Sequence, residues 1–226
     1  HEFVAYDTRP EEEEEIIECG DGLSVAIDPL DGSSNIPTNN LVGSIISIYD
    51  EELPCSGQNM IAAFYVLYGP LTSLTVARDS QVDEYIIEES PGDDVELHDA
   101  SENIMIEGKN IYGFGGNKAW FEEFRKLEDD FSERYKLRYG GALVGDFNQM
   151  LHHGGVFGYP AKEGYENGKY RLIFEGNPMA FIAEAAGGAS TDGDQSILDV
   201  EAHELHQRTP FFAGHPEMVE EIEERL

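Results

Sequence analysis

The chain has 226 residues, 40% of them apolar, with 46 acidic side chains against 14 basic ones and a formal charge of −32. That length builds one large domain or two small ones, each with its own core. The charge repels nucleic acid and anionic membranes. Spread over the whole chain, it is the composition of a protein that works in concentrated salt, where screening shortens to a few ångström.

No apolar run reaches membrane-spanning length and no secretory leader is visible, so no membrane partner and a cytoplasmic location are expected. The two cysteines, Cys19 and Cys55, form neither a disulfide framework nor a metal motif, which fits a reducing compartment. The text opens in mid-flow at His1, and a missing N-terminal portion is expected.

Residues 9–22 (RPEEEEEIIECGDG) read as a solvated acidic loop and a glycine turn. A strand follows at 23–27 and a second at 41–50, with 52–59 as a connection. The apolar stretch 60–77, broken by Gly69-Pro70, reads as two buried elements, and 82–89 as another strand. The polar run ESPGDDVELHDASEN leads to a boundary near 100–108. The second part opens with a strand into a glycine turn, NIYGFGG, and an amphipathic helical region at 117–135. Residues 140–155 have apolar residues at helix spacing between Gly-Gly pairs, and YRLIF (170–174) reads as a strand. Residues 177–188 read as a helix capped by Asn177, started by Pro178 and ended by Gly187-Gly188. A final amphipathic helix covers 216–226. Mixed strands and helices predict layered α/β (α+β) structure.

The chemistry concentrates in DPLDGSSN, residues 28–35. Asp28 falls at the end of the predicted strand, and Pro29 interrupts it. Asp28 and Asp31 can then converge with the Leu30 carbonyl as hard oxygen ligands for Mg²⁺. Gly32 lets the backbone approach a ligand, and Ser33, Ser34 and Asn35 offer donors at a helix start, an anion site. Metal beside phosphate donors points to phosphoryl transfer or phosphate-ester hydrolysis. Glu175, between a predicted strand and the helix at 177, is a candidate third ligand. The pairs His152-His153 and His203/His206 come with no Cys or Glu pattern and read as surface histidines rather than a zinc site.

DPLDGSSN resembles the metal-binding motif of class I fructose-1,6-bisphosphatases, within the Mg-dependent, lithium-sensitive sugar and inositol phosphatases. The blocks NMIAAFYVLYGPLTSLTVA, RYGGALVGDFNQMLHHGGVFGYP, GKYRLIFEGNPMAFIAEAAGG and LHQRTPFFAG resemble that family in the same order, from about residue 20 onward. The resemblance implies a layered α-β-α-β-α sandwich with a metal-binding half at 1–106 and a sugar-phosphate half at 107–226. It implies Mg-dependent hydrolysis of the 1-phosphate of fructose-1,6-bisphosphate, a step of gluconeogenesis. It also implies two or three Mg²⁺ per site, with Mn²⁺ as an alternative.

By the same resemblance, Asp28, Leu30, Asp31 and Glu175 are metal ligands, and Asp28, Asp31 and Asp7 are catalytic. Gly32, Ser33 and Ser34 cradle the scissile phosphate. Asn117, Arg138, Tyr139, Tyr159 and Lys169 bind the sugar and the 6-phosphate, and the backbone of Gly141, Ala142 and Leu143 touches the sugar. Arg138 corresponds to an arginine that reaches into a neighbouring subunit, so a homodimer or homotetramer is expected. The family's paired glutamates upstream of the Asp motif have no clear counterpart in VAYDTRPEEEEE, where Asp7 is the nearest candidate. The rivals are the same chemistry on sedoheptulose-1,7-bisphosphate and a catalytically impaired relative kept for binding or regulation.

Overall fold

The computed structural model describes residues 2–7, 16–18, 22–90, 94–116 and 119–226, with side chains over 22–88, 95–116 and 119–226. The predicted acidic loop therefore falls largely outside the described residues, and Asn117 lies outside them altogether.

Period-2 patterning in the first half builds strands β1 (Glu2–Asp7), β2 (Ile16–Glu18), β3 (Gly22–Asp31), β4 (Val42–Tyr49), β5 (Met60–Tyr68), β6 (Thr72–Arg78), β7 (Gln81–Ser90) and β8 (Asp94–Ser101). They form one sheet in the order β2-β1-β3-β4-β5-β6-β7-β8. Every neighbouring pair is antiparallel except β1 and β3, which run parallel. Alternation sets the packing. Ile45, Ser47 and Tyr49 of β4, Ala63 and Tyr65 of β5, and Thr75 and Ala77 of β6 are buried on one face. Ile46, Ile48, Phe64, Val66, Leu74 and Val76 lie half-buried on the other. The polar run before the expected boundary is not a loop: DVELHDAS is β8. As an edge strand beside β7 it needs no apolar face of its own, and its Val95 and Leu97 are exposed among charges.

The second half contains β9 (Ile111–Phe114), α1 (Glu122–Arg134), β10 (Lys136–Leu137), α2 (Leu143–His153), β11 (Gly155–Tyr159), β12 (Tyr170–Arg171), α3 (Asn177–Ala185), β13 (Ala189–Thr191), β14 (Arg208–Thr209), β15 (Phe211–Gly214) and α4 (Pro216–Glu223). A second sheet has the order β10-β9-β11-β15-β13. The helix expected from 117 starts later, at Glu122, beyond Trp120, whose indole N–H donates to the Gly115 carbonyl at 2.9 Å.

Helices α2 and α3 lie between the two sheets, α2 touching β4 and β11 and α3 touching β5 and β13. Their buried residues, among them Phe147, Met150, Met179 and Ile182, join Tyr65 and Phe211 in one core cluster. Helices α1 and α4 cover the far face of the second sheet, where Phe124, Phe131, Met218 and Ile222 pack on Phe114 and Phe212. The layers run sheet, helices, sheet, helices, which is the expected α/β sandwich. A helical cover on the outer face of the first sheet is not among the described residues. Also among the described residues, no helix is long and apolar enough to cross a membrane, and Cys55 is a buried free thiol.

Candidate active site

The strand expected to stop at Ile27 continues to Asp31. Asp28 pairs with Ile45 and Asp31 with Gly43, so three steps along β3 oppose two along β4. In a regular strand residues three apart face opposite ways; this bulge turns Asp28 and Asp31 to the same side. Pro29 suits the bulge because it has no N–H to leave unpaired, and its carbonyl accepts from Ser44 Oγ at 2.8 Å. The Leu30 N–H donates to Asp28 Oδ1 at 3.2 Å. Both aspartates are buried, at 5% and 7% exposure.

Gly32 then takes φ 77°, and a Cβ there would stand 2.5 Å from that of Ala142. Ser33 and Ser34 open a short 3₁₀ turn, Ser33–Thr38, and are exposed. Asn35 does not face the anion position. Its buried amide donates to the Leu41 carbonyl at 2.9 Å and the Gly140 carbonyl at 3.2 Å. Asp146 grips the same segment from α2, accepting from the Gly140 and Gly141 N–H groups. Burial pushes its carboxyl up to about 6 against the pull of those two hydrogen bonds.

The third carboxylate arrives differently from the expectation. Of YRLIF, only Tyr170 and Arg171 pair as strand, with Thr209 and Arg208. Residues Leu172–Gly176 form a π-helical turn that runs straight into α3. Leu172, Ile173 and Phe174 are buried on all sides, and such a run reads alike as a buried strand or a buried helical turn. Asn177 consequently lies inside a continuous helical path and caps nothing. It is fully buried, with its amide 3.4 Å from the Tyr49 hydroxyl, which itself donates to the Ile173 carbonyl at 3.0 Å.

One ligand oxygen from each of Asp28, Asp31 and Glu175 lies within 4.8 Å of the others. Burial is the main reason the Asp31 carboxyl is pushed up to about 7. The Val144 N–H, 2.9 Å away at the start of α2, opposes it, and the charges of Glu175 and Asp28 add to it. Glu175 is also raised, first by burial, with Arg171 pulling it back. Arg171 bridges the cluster: its guanidinium donates to Asp28 Oδ2 at 2.7 Å and Glu175 Oε2 at 3.0 Å, and its backbone N–H to Glu175 Oε2 at 2.7 Å. Three clustered buried carboxylates, two of them raised by burial, form a position that calls for cationic charge. Their hard oxygens suit Mg²⁺ or Mn²⁺.

These residues line a cleft of about 680 Å³ together with Leu30, Gly32, Ser33, Ser34, Gly141, Leu143 and Lys169. The Lys169 ammonium also stands 5.0 Å from the centre of the Tyr159 ring. Tyr139 and Tyr159 crowd a second spot at the Gly115-Gly116 turn, where a Cβ on Gly115 would lie 2.9 Å from the Tyr139 hydroxyl. Burial raises the Tyr139 hydroxyl to about 12, which keeps it a donor at neutral pH. Arg138 is half-buried on the segment after β10, its N–H donating to the Tyr112 carbonyl at 2.8 Å, and it does not line the cleft. Asp7 ends β1 opposite Ile27, one residue before Asp28; its side chain lies outside the described residues.

Sequence reasoning passed over Arg171, Arg208 and His206, which also line the cleft. His206, read as a surface histidine, stacks on Phe174 with ring centres 5.7 Å apart. Arg171 was masked by the strand reading. In a strand, residues four apart are separated by about 13 Å; in the π turn Arg171 and Glu175 touch.

Residues 4–99 match the family model described as "Fructose-1-6-bisphosphatase, N-terminal domain", and residues 105–226 the one described as "Fructose-1-6-bisphosphatase, C-terminal domain". A relative from Natronomonas pharaonis, "Fructose-1,6-bisphosphatase class 1", is 48% identical over 219 residues, covering 96% of this chain and 76% of its own. One from Haloarcula marismortui, "Fructose-1,6-bisphosphatase class 1 1", is 46% identical over 217 residues, covering 95% of this chain and 73% of its own. The crystal structure of Leishmania major fructose-1,6-bisphosphatase in its T-state superposes with a TM-score of 0.87 at 31% identity, covering 97% of this chain and 74% of that one. With both family models together spanning nearly its whole length, the chain belongs to the class 1 fructose-1,6-bisphosphatase family.

Proposed function

We propose that the cleft hydrolyses the 1-phosphate of fructose-1,6-bisphosphate, giving fructose 6-phosphate and phosphate. The observation that carries this reading is the triad Asp28, Asp31 and Glu175, set in one cleft beside the exposed Ser33 and Ser34. In this reading the three carboxylates and the Leu30 carbonyl hold two or three Mg²⁺ ions, or Mn²⁺. A metal held by these residues would supply Lewis-acid stabilisation of the phosphate charge and of the departing sugar oxygen.

The chain's own residues do the rest. Arg171 bonds one oxygen each of Asp28 and Glu175, a built-in counterion that a cation at the triad displaces. Gly32, with no side chain, lets the phosphate approach the backbone, and Ser33 and Ser34 donate to its non-bridging oxygens. Tyr139, Tyr159 and Lys169 take the 6-phosphate, with Asn117 as a further donor. Asn35 and Asp146 hold the Gly140-Gly141 peptides, and so set the separation of the two phosphate positions. Asp7, on the strand beside β3, is the candidate acid to assist the attacking water.

The metal-binding half is residues 1–106 and the sugar half 107–226, with the cleft between them. Arg138 points to an oligomer, a dimer or tetramer, in which it serves the neighbouring cleft. The surroundings are the cytoplasm at high salt, consistent with relatives from salt-loving archaea.

Phosphorus NMR of the reaction tests the reading. The expected product from fructose-1,6-bisphosphate carries its phosphate on C6; a product phosphorylated on C1 overturns it. Sedoheptulose-1,7-bisphosphate as a competing substrate in the same tube measures the preference between the two sugars.

A further inference from the structure

We infer that Lys162, held at the Tyr159 hydroxyl, is a second ammonium for the non-scissile phosphate in addition to Lys169. The inference rests on the sugar-bisphosphate reading of the cleft and adds a residue to it.

The loop after β11 doubles back so that Lys162 makes backbone bridges to both Trp120 and Tyr165. Its ammonium is thereby held 3.0 Å from the Tyr159 hydroxyl, 5.0 Å from the Tyr159 ring centre and 4.9 Å from that of Tyr165. The Lys169 ammonium stands 5.0 Å from the centre of the same Tyr159 ring and lines the metal cleft. Two cations thus flank one phenol. Lys169 has the Asp31 carboxylate to act on, whereas Lys162 makes no ion pair with a carboxylate among the described residues, in a chain whose formal charge is −32. By contrast Lys109 holds Glu217, and Lys126 holds Glu122.

The space around them is kept open by glycine. Gly116 has φ 87°, and a Cβ on it would stand 3.0 Å from the Lys162 ammonium; one on Gly115 would meet the Tyr139 hydroxyl at 2.9 Å. Lys162, Tyr139 and Tyr159 therefore surround one glycine turn, with two phenols and one ammonium gathered at it. An ammonium with no carboxylate partner, held beside two phenolic hydroxyls at an open glycine turn, suits a dianionic phosphate. Ring packing alone accounts for a single lysine on Tyr159 and Tyr165. It gives no reason for that lysine to stand without a carboxylate partner in so acidic a protein.

The test is calorimetric binding of fructose 6-phosphate, which carries the non-scissile phosphate alone, to the full-length protein in molar KCl with Mg²⁺. Lys162→Met keeps the aliphatic stem and removes the charge; Lys162→Arg keeps the charge. The expected result is about tenfold weaker binding by K162M, and K162R within about threefold of the unmodified protein. Binding by K162M as tight as that of the unmodified protein overturns the inference. So does weaker binding that follows a fall in melting temperature and is not restored in K162R. If fructose 6-phosphate does not bind the unmodified protein, the inference falls with the reading beneath it. If it binds, K162M weakens it, and the bisphosphate is still not hydrolysed, the inference stands and the hydrolytic reading fails.

Discussion

Replacing Arg171 by methionine removes the guanidinium that bridges Asp28 and Glu175 while keeping much of its buried stem. The side chain is 15% exposed and its contacts are 2.7 Å and 3.0 Å, so this is a buried, geometrically good bridge. Removing one partner of such a bridge costs about 3–5 kcal/mol, because charge is left uncompensated in a poorly solvated place. Here the lower end applies: Asp31, with its carboxyl raised to about 7, takes up a proton near neutrality and relieves part of the repulsion. A loss of about 3 kcal/mol corresponds to a fall in melting temperature of roughly 6–12 °C for a chain of this size. Scanning calorimetry in molar KCl with a chelator measures it, since high salt screens buried pairs far less than surface ones. Adding Mg²⁺ then raises the melting temperature more in R171M than in the unmodified protein. A cation at the triad no longer competes with the guanidinium, and tighter binding gives more stabilisation. A fall of less than about 2 °C in chelator, or equal Mg²⁺ increments in both proteins, would refute this view of Arg171 as the cluster's built-in counterion.

Other consequences follow from the same geometry. Gly32→Ala sets a Cβ 2.5 Å from that of Ala142 and forces a side chain onto a residue at φ 77°; a loss of about 1–3 kcal/mol is expected in denaturant unfolding, together with weaker substrate binding. Asp146 carries a pH signature. Its folded carboxyl, raised to about 6, holds a proton that the unfolded chain has already lost, so stability falls as pH rises from about 4 to 6. The loss is on the order of 2–3 kcal/mol. Unfolding of Asp146→Asn has no such slope, so its deficit relative to the unmodified protein narrows between pH 4 and 6; a constant gap across that range would contradict the assignment.

Much of the first sheet was readable because its strands obey a simple period. The alternation in LVGSIISIYD and MIAAFYVLY survives in the structure as one buried and one half-buried face. The acidic motif was readable because two aspartates three apart around a proline are poor strand chemistry and good ligand chemistry. What period cannot report is a change of period. The bulge that carries β3 through Pro29 and the π turn at Leu172–Gly176 each shift the backbone by a residue. Those shifts are what bring Asp28, Asp31 and Glu175 to one point. Strand β8 was missed for the opposite reason: its pairing comes from β7, while its own residues are those of a loop. Arg171, His206 and Lys162 were silent because their roles depend on chain reversals that local patterns do not encode.

The family's roles attach unevenly to the geometry. Asp28, Asp31, Glu175, Leu30, Gly32, Ser33, Ser34 and Lys169 share one cleft, while Tyr139 and Tyr159 gather beside it and Arg138 stands off it. Under the proposed function that division would serve a substrate with two phosphates, one at hard oxygens and a cation, the other at hydroxyls and ammoniums.

Phosphate release from fructose-1,6-bisphosphate by the full-length protein in molar KCl, with Mg²⁺ and with chelator, and in Asp31→Asn, tests the central claim most directly. The account predicts release with Mg²⁺, none in chelator, and a fall of more than about a hundredfold in D31N. Release that survives the chelator, or is untouched in D31N, would contradict it.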